Sequence, residues 1–149
     1  MKLYFSYGSN LDLAAMQDRC PQAKVLTPGC LRGFQLAFTW YSNGWSCGVA
    51  DVVENAQGEV WGLVYSITNG DLAALDRYEG YPRCYGRSLT TIASKDATLE
   101  NVWVYTVQEK SDFIAPSQSY MEIIKRACVD HNFPDSYARM LDQVPVFEG

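Results

Sequence analysis

Two short stretches of this sequence hold residue types that can do chemistry on a small molecule. The first is Tyr7-Gly8-Ser9-Asn10-Leu11, directly after an apolar run. A strand handing over to a helix there would turn several backbone N–H groups toward one volume, and glycine would let a ligand approach the backbone closely. Such a turn suits a carboxylate or the oxyanion of a tetrahedral intermediate. Gly-Ser-Asn at a strand–helix junction is equally ordinary turn and capping chemistry. The second stretch is Leu75-Asp76-Arg77-Tyr78-Glu79-Gly80. Glu79 would sit at the carbonyl end of a helix, where partial negative charge disfavours a carboxylate. Its neighbours Tyr78, Tyr81 and Tyr85 would take water from it. Both effects move it toward the range where a carboxyl can accept and donate a proton near neutral pH. From spacing alone, a solvated Glu in a Glu-Gly helix stop is the commoner arrangement.

The other chemistry-bearing residues carry weaker signals. Ser9 lies in no G-x-S-x-G elbow, and Cys84 with His131 forms no recognisable nucleophile setting. His131 at a helix end is explained by its favourable interaction with the helix dipole. Tyr120 falls on the apolar face of a predicted helix and Tyr105 in an apolar strand, so a core role is the default for each. A phenol buried beside a cleft would nevertheless donate to a carboxylate without adding charge. The five cysteines, Cys20, Cys30, Cys47, Cys84 and Cys128, are scattered singly, which suits reduced thiols. With one histidine in the chain and no C-x-x-C pair, no metal site is expected.

These residues need elements to position them. Residues 2 to 7 read as a buried strand ending in the glycine turn. Leu11, Ala14, Ala15 and Met16 approximate helical spacing, with Asn10 as N-cap and Pro21 as stop. From Lys24 to Trp40 the strand-like pattern is broken by Pro28, Gly29 and Gly33, which predicts short, bent strands. Cys47 to Val53 and Glu59 to Ile67 are apolar runs with a hairpin expected at Glu54 to Gly58. A short helix capped by Thr68 or Asn69 carries Leu72 and Leu75 and ends near Glu79, closed by Gly80. Arg87 to Ala93 and Asn101 to Val107 form a second hairpin. Pro116-Ser117 opens a helix with Tyr120, Ile123, Ile124, Ala127 and Cys128 on one face, and Asp135 caps another with Tyr137, Met140 and Leu141 inside. This order predicts an α+β, barrel-like domain, one unit over 1–149.

Composition narrows the partners. Among 149 residues, 48% are hydrophobic and 19% charged, enough for a packed core. A net charge of −5 with no basic run excludes nucleic acid as an expected partner. No apolar run approaches the roughly 20 residues that span a bilayer, and the amino terminus is too short in apolar residues for a secretory signal. A cytoplasmic protein without a membrane partner is expected. Ten tyrosines leave surface for core, small-ligand pocket or a homodimer interface.

Tyr7 to Leu11 at the first strand, Leu75 to Pro82 mid-chain, and Pro116-Ser117 with Tyr120 followed by Pro134 with Tyr137 together resemble, in that order, the γ-glutamylcyclotransferase family. The resemblance covers most of the chain. It implies a small mixed β-barrel flanked by helices and no cofactor. It also implies Glu79 as the catalytic residue, with Ser6, Tyr7, Gly8, Ser9 and Asn10 holding the γ-glutamyl group and Tyr85, Tyr105 and Tyr120 lining the pocket. Tyr81-Pro82-Arg83-Cys84 is more similar to bacterial relatives, and Gly8-Ser9-Asn10 favours the amino-acid or acyl type of substrate over the amine-specific type. The reaction implied is an intramolecular lactam closure that releases 5-oxoproline and a free amine or amino acid. Two rivals stand beside it: a non-catalytic small-ligand or protein-interaction domain on the same fold, and a thiol hydrolase using Cys84 and His131.

Overall fold

The computed structural model describes residues 1–147. Its strands are β1 (Lys2–Ser6), β2 (Lys24–Ser42), β3 (Cys47–Ile67), β4 (Tyr85–Ala93) and β5 (Thr98–Val107). Its helices are α1 (Leu13–Arg19), α2 (Asn69–Glu79), α3 (Gln118–Asp130) and α4 (Asp135–Asp142), and a 3₁₀ turn, Ser9–Leu11, precedes α1. The strands close into a barrel in the order β1-β3-β2-β4-β5. β1 runs antiparallel to β3 and parallel to β5, which makes the barrel mixed, as the family resemblance implied. Phe5, Leu31, Val60, Leu63, Ile92 and Val102 are buried in the core, each side chain contributing about 1.5–3 kcal/mol of transfer free energy.

The helices follow local signals. Thr68 caps α2 through the Asp71 amide, and the Asp71 carboxylate returns a bond to the Thr68 N–H, a complete capping box. Gly80 closes the same helix in the left-handed conformation, so the chain turns away immediately after Glu79. Ser117 caps α3, whose buried face includes Tyr120, Met121, Ile124, Ala127 and Cys128.

Three expectations need correction. Asn10 does not cap α1. It lies inside the 3₁₀ turn, and Asp12 caps the helix by accepting from the Ala14 and Ala15 amides. Lys24 to Trp40 is not several strands but part of one 19-residue strand whose bends are three register shifts. Glu54 to Gly58 is not a hairpin turn. β3 runs straight through it, and residues 55–58 bulge outward between the pairs Arg32–Glu59 and Phe34–Glu54. A Cβ on Gly58 would collide with the Phe34 carbonyl, so the glycine serves close backbone approach in the bulge. The real hairpin connects β2 to β3 through residues 43–46.

Candidate active site

One cavity of about 600 Å³ opens where three segments converge: the turn after β1, the C-terminal end of α2, and the β2–β3 hairpin turn. Tyr7, Gly8, Ser9, Asn10, Glu79, Tyr85, Tyr105 and Tyr120 all contribute to its wall. The sequence-predicted residues are thus brought together from positions far apart in the chain.

Glu79, the last residue of α2, is half-buried in this wall. Burial pushes its carboxyl up to about 7, opposed by the positive charge of Arg19. Among the described residues no side chain donates a hydrogen bond to it, so the Arg19 charge is all that favours its ionised form, and burial outweighs it. The expected desolvation by aromatic neighbours therefore dominates, although one neighbour differs from expectation. Tyr81 turns away from the cavity and packs under the Arg87 guanidinium, 4.5 Å from its ring centre.

The phenols divide by what their protons do. Tyr7 donates to the Tyr105 carbonyl at 2.6 Å, Tyr85 to the Ala50 carbonyl at 2.7 Å, and Tyr105 to the Asp76 carboxylate at 2.7 Å. Their hydroxyl oxygens are left to accept. Tyr120 instead accepts from the Ala50 N–H at 3.0 Å, and Tyr4 accepts from the Asn10 side-chain amide at 3.0 Å. Their O–H protons remain available to a ligand. All these phenols are driven well above their usual range. For Tyr4, burial comes first and the charge of Glu79 second; for Tyr120, burial leads and Glu79 again contributes. They stay protonated donors across the physiological range.

The first turn is shaped by its glycine. A Cβ on Gly8 would lie 3.0 Å from the Tyr120 hydroxyl and 3.2 Å from the Ala50 Cβ, so a side chain would press on the phenol that faces the cavity. The leading N–H groups of the 3₁₀ turn have no partner within the turn, as at any helix start. Asn10 is buried, accepts from the Tyr65 hydroxyl through its carbonyl at 2.9 Å, and ties Arg19 to Tyr4 through its side chain.

Other residues of the wall escaped sequence reasoning. Arg19 stacks on Tyr78, 3.7 Å from the ring centre, and donates to the Asn10 side-chain oxygen. Tyr78 bridges two loops, its hydroxyl bonding the Ser9 hydroxyl at 3.0 Å and accepting from the Trp45 indole at 3.1 Å. Trp45 in turn meets Tyr120 edge-on at 5.1 Å. Arg19 sits at the end of a helix and Trp45 in a turn, and neither belongs to a motif. Helical amphipathicity could have found neither, since both positions are fixed by tertiary contacts.

One expected residue is not part of the cavity wall: Ser6 is buried at the end of β1 with its hydroxyl unpartnered. The thiol–imidazole pair is not assembled: Cys84 lines the cavity, whereas His131 caps α3 and packs against Phe133. All five cysteines are free. Among the described residues, no group of three or more His, Cys, Asp or Glu side chains could hold a metal ion. Among the described residues no helix is long and apolar enough to cross a membrane.

Comparison with known proteins identifies the family to which this mixed barrel and its cavity belong. Residues 4–122 match the family described as γ-glutamyl cyclotransferase, AIG2-like. The chain belongs to this family and is an enzyme of cyclotransferase type. It is 27% identical over 147 residues to the γ-glutamylcyclotransferase of Bos taurus, covering 95% of this chain and 78% of that protein. To the Homo sapiens protein of the same name it is 28% identical over 149 residues, with the same coverage. A solved structure named γ-glutamyl cyclotransferase superposes with a TM-score of 0.91 at 25% identity, covering 99% of this chain and 90% of that one.

Proposed function

We propose that this chain is a γ-glutamylcyclotransferase that converts a γ-glutamyl compound to 5-oxoproline and a free amine or amino acid, with Glu79 as general base and then general acid. The observation that carries this reading is a half-buried, unpaired carboxyl raised to about 7, in the wall of the same cavity as the Gly8 turn. Glu79 takes a proton from the substrate α-ammonium. The freed amine nitrogen attacks the γ-carbonyl carbon, and the carbonyl oxygen becomes an oxyanion. Unspent N–H groups of the first turn and the available O–H of Tyr120 are the donors for that oxygen. As the oxyanion collapses the γ-carbon–nitrogen bond breaks and the proton held by Glu79 goes to the departing nitrogen; the carboxylate so regenerated takes the second proton from the attacking nitrogen and passes it to the released amine, leaving a neutral lactam and an ammonium.

Because nucleophile and electrophile share one molecule, the site mainly has to hold a folded-back conformer. Tyr7 and Tyr85, whose protons are committed to backbone carbonyls, offer oxygens that suit the ammonium before it is deprotonated. The free cysteines fit a reducing compartment such as the cytoplasm.

The test is 5-oxoproline release from a panel of γ-glutamyl peptides, amines and glutathione by the wild type and by Glu79→Gln. We expect release by the wild type and a loss of roughly 10²–10⁴-fold in the variant, with an unchanged circular dichroism spectrum. Near-normal release by Glu79→Gln would remove the assignment. Binding of γ-glutamyl ligands without release by either protein would favour a non-catalytic ligand domain.

A further inference from the structure

The cavity has an inner and an outer half. Glu79 and the Gly8 turn must both reach the γ-glutamyl group, whose amine and carbonyl react with each other. The departing group is then directed away from the inner phenols, toward the mouth. Exposure marks that direction: Tyr120 is 3% exposed, whereas Tyr78 and Tyr41 in the same wall are 37% and 50% exposed. A volume of about 600 Å³ exceeds what a single glutamyl group fills and lies in the range of sites for larger ligands.

Residues 40–45 build one side of this outer half with the sequence Trp-Tyr-Ser-Asn-Gly-Trp, which carries no formal charge. Trp45 is held at three points. Its backbone N–H donates to the Ser42 hydroxyl at 3.2 Å, its indole N–H to Tyr78, and its ring edge rests on Tyr120. With its only side-chain donor committed to Tyr78, the indole has apolar surface alone to offer a ligand. A wall fixed before binding loses little side-chain freedom when a ligand packs on it.

We infer that Trp45, with Trp40 in the same wall, forms an apolar subsite for the departing group, so that the preferred substrates are γ-glutamyl compounds whose leaving amino acid has a bulky apolar side chain. This inference rests on the cyclotransferase reading above. Ring-to-side-chain contact at the cavity mouth, more than charge, then separates good substrates from poor ones. Arg19 does not oppose this assignment, since its guanidinium is engaged by Asn10 and Tyr78.

The experiment measures kcat/KM for γ-glutamyl-phenylalanine, γ-glutamyl-leucine and γ-glutamyl-glycine with the wild type, Trp45→Ala and Trp45→Phe. The wild type is expected to favour the phenylalanine and leucine compounds over the glycine compound by roughly tenfold or more, the range of small apolar-pocket discrimination. Trp45→Ala should bring that ratio close to one. Trp45→Phe keeps an apolar ring but loses the bond to Tyr78, and should retain most of the preference. A wild-type ratio at or below one overturns the inference even where the alanine variant does not fold, as does a ratio that Trp45→Ala leaves unchanged. Failure of the wild type to release 5-oxoproline from any of the three, or from glutathione, removes the cyclotransferase reading and the subsite with it. A flat ranking removes only the subsite.

Discussion

Asp76 and Glu79 stand one helical turn apart on α2, and their surroundings push them in opposite directions. Asp76 accepts both arms of the Arg87 guanidinium, at 2.8 and 3.1 Å, and the Tyr105 hydroxyl. Burial works against its charge, but those hydrogen bonds and the Arg87 charge overcome it and hold the carboxyl below its ordinary range. Glu79 has no such partner and faces aromatic rings, so burial prevails and the carboxyl rises to about 7. The same helix therefore carries a permanent structural anion and a group able to exchange protons. Two acids pushed apart by environment are a sign of divided labour: one positions, the other reacts.

Exchanging charge for an isosteric amide at each position is the strongest way to break this comparison. Glu79→Gln should abolish most turnover, as above, yet be at least as stable as the wild type at pH 8, because it no longer buries an unpaired charge. Asp76→Asn should do the reverse. Activity is expected to stay within about tenfold, while unfolding free energy in urea falls by about 1–3 kcal/mol as Arg87 and Tyr105 lose their ionic acceptor. An Asp76→Asn variant as inactive as Glu79→Gln would show that the two acids work as one unit.

A smaller effect is expected on the opposite wall. Tyr120→Phe removes a donor facing the cavity and leaves the Ala50 N–H without its acceptor. Turnover should fall by roughly ten- to a hundredfold, with a stability loss of about 1–3 kcal/mol. Gly8→Ala reaches the same hydroxyl from the other side and should lower kcat/KM. Unaltered kinetics would make Gly8 a turn residue only.

The smallest expected signal is the pH dependence of stability, and its sign differs between the two acids. Glu79 has a folded value of about 7, above the ordinary 4.5, so its contribution is complete below about pH 4.5 and is lost as pH rises through 7. Asp76 lies below its ordinary 3.8, so its contribution is present above that value and is lost as pH falls further. Chemical denaturation from pH 4 to 8 should therefore show Glu79→Gln gaining on the wild type as pH rises. A constant difference across that range would mean that Glu79 titrates in its ordinary range.

Much of this arrangement was legible in the sequence because its signals are local. The Thr68–Asp71 capping box, the Gly80 stop and the Ser117 cap are short-range chemistry, and they place Glu79 and Tyr120. The strand pattern pointed to a barrel-like domain and the family resemblance to a mixed barrel, but neither showed the continuity of β3 through residues 54–58. A polar, glycine-containing stretch reads as a turn whether the chain reverses or bulges, and only the pairing with β2 decides between them. Arg19 and Trp45 were invisible for a related reason. Their places depend on Asn10, Tyr78 and Tyr120, which come from other elements.

The most direct measurement follows the Glu79 carboxyl itself. Wild-type protein labelled with ¹³C at glutamate would be titrated by NMR from pH 4 to 9, the Glu79 signal assigned by its absence in Glu79→Gln, and the midpoint compared with the acid limb of kcat/KM for 5-oxoproline release. We expect both to fall close to 7, with activity rising as the carboxyl loses its proton. A midpoint in the ordinary glutamate range, or an acid limb that persists in Glu79→Gln, would contradict Glu79 as the base.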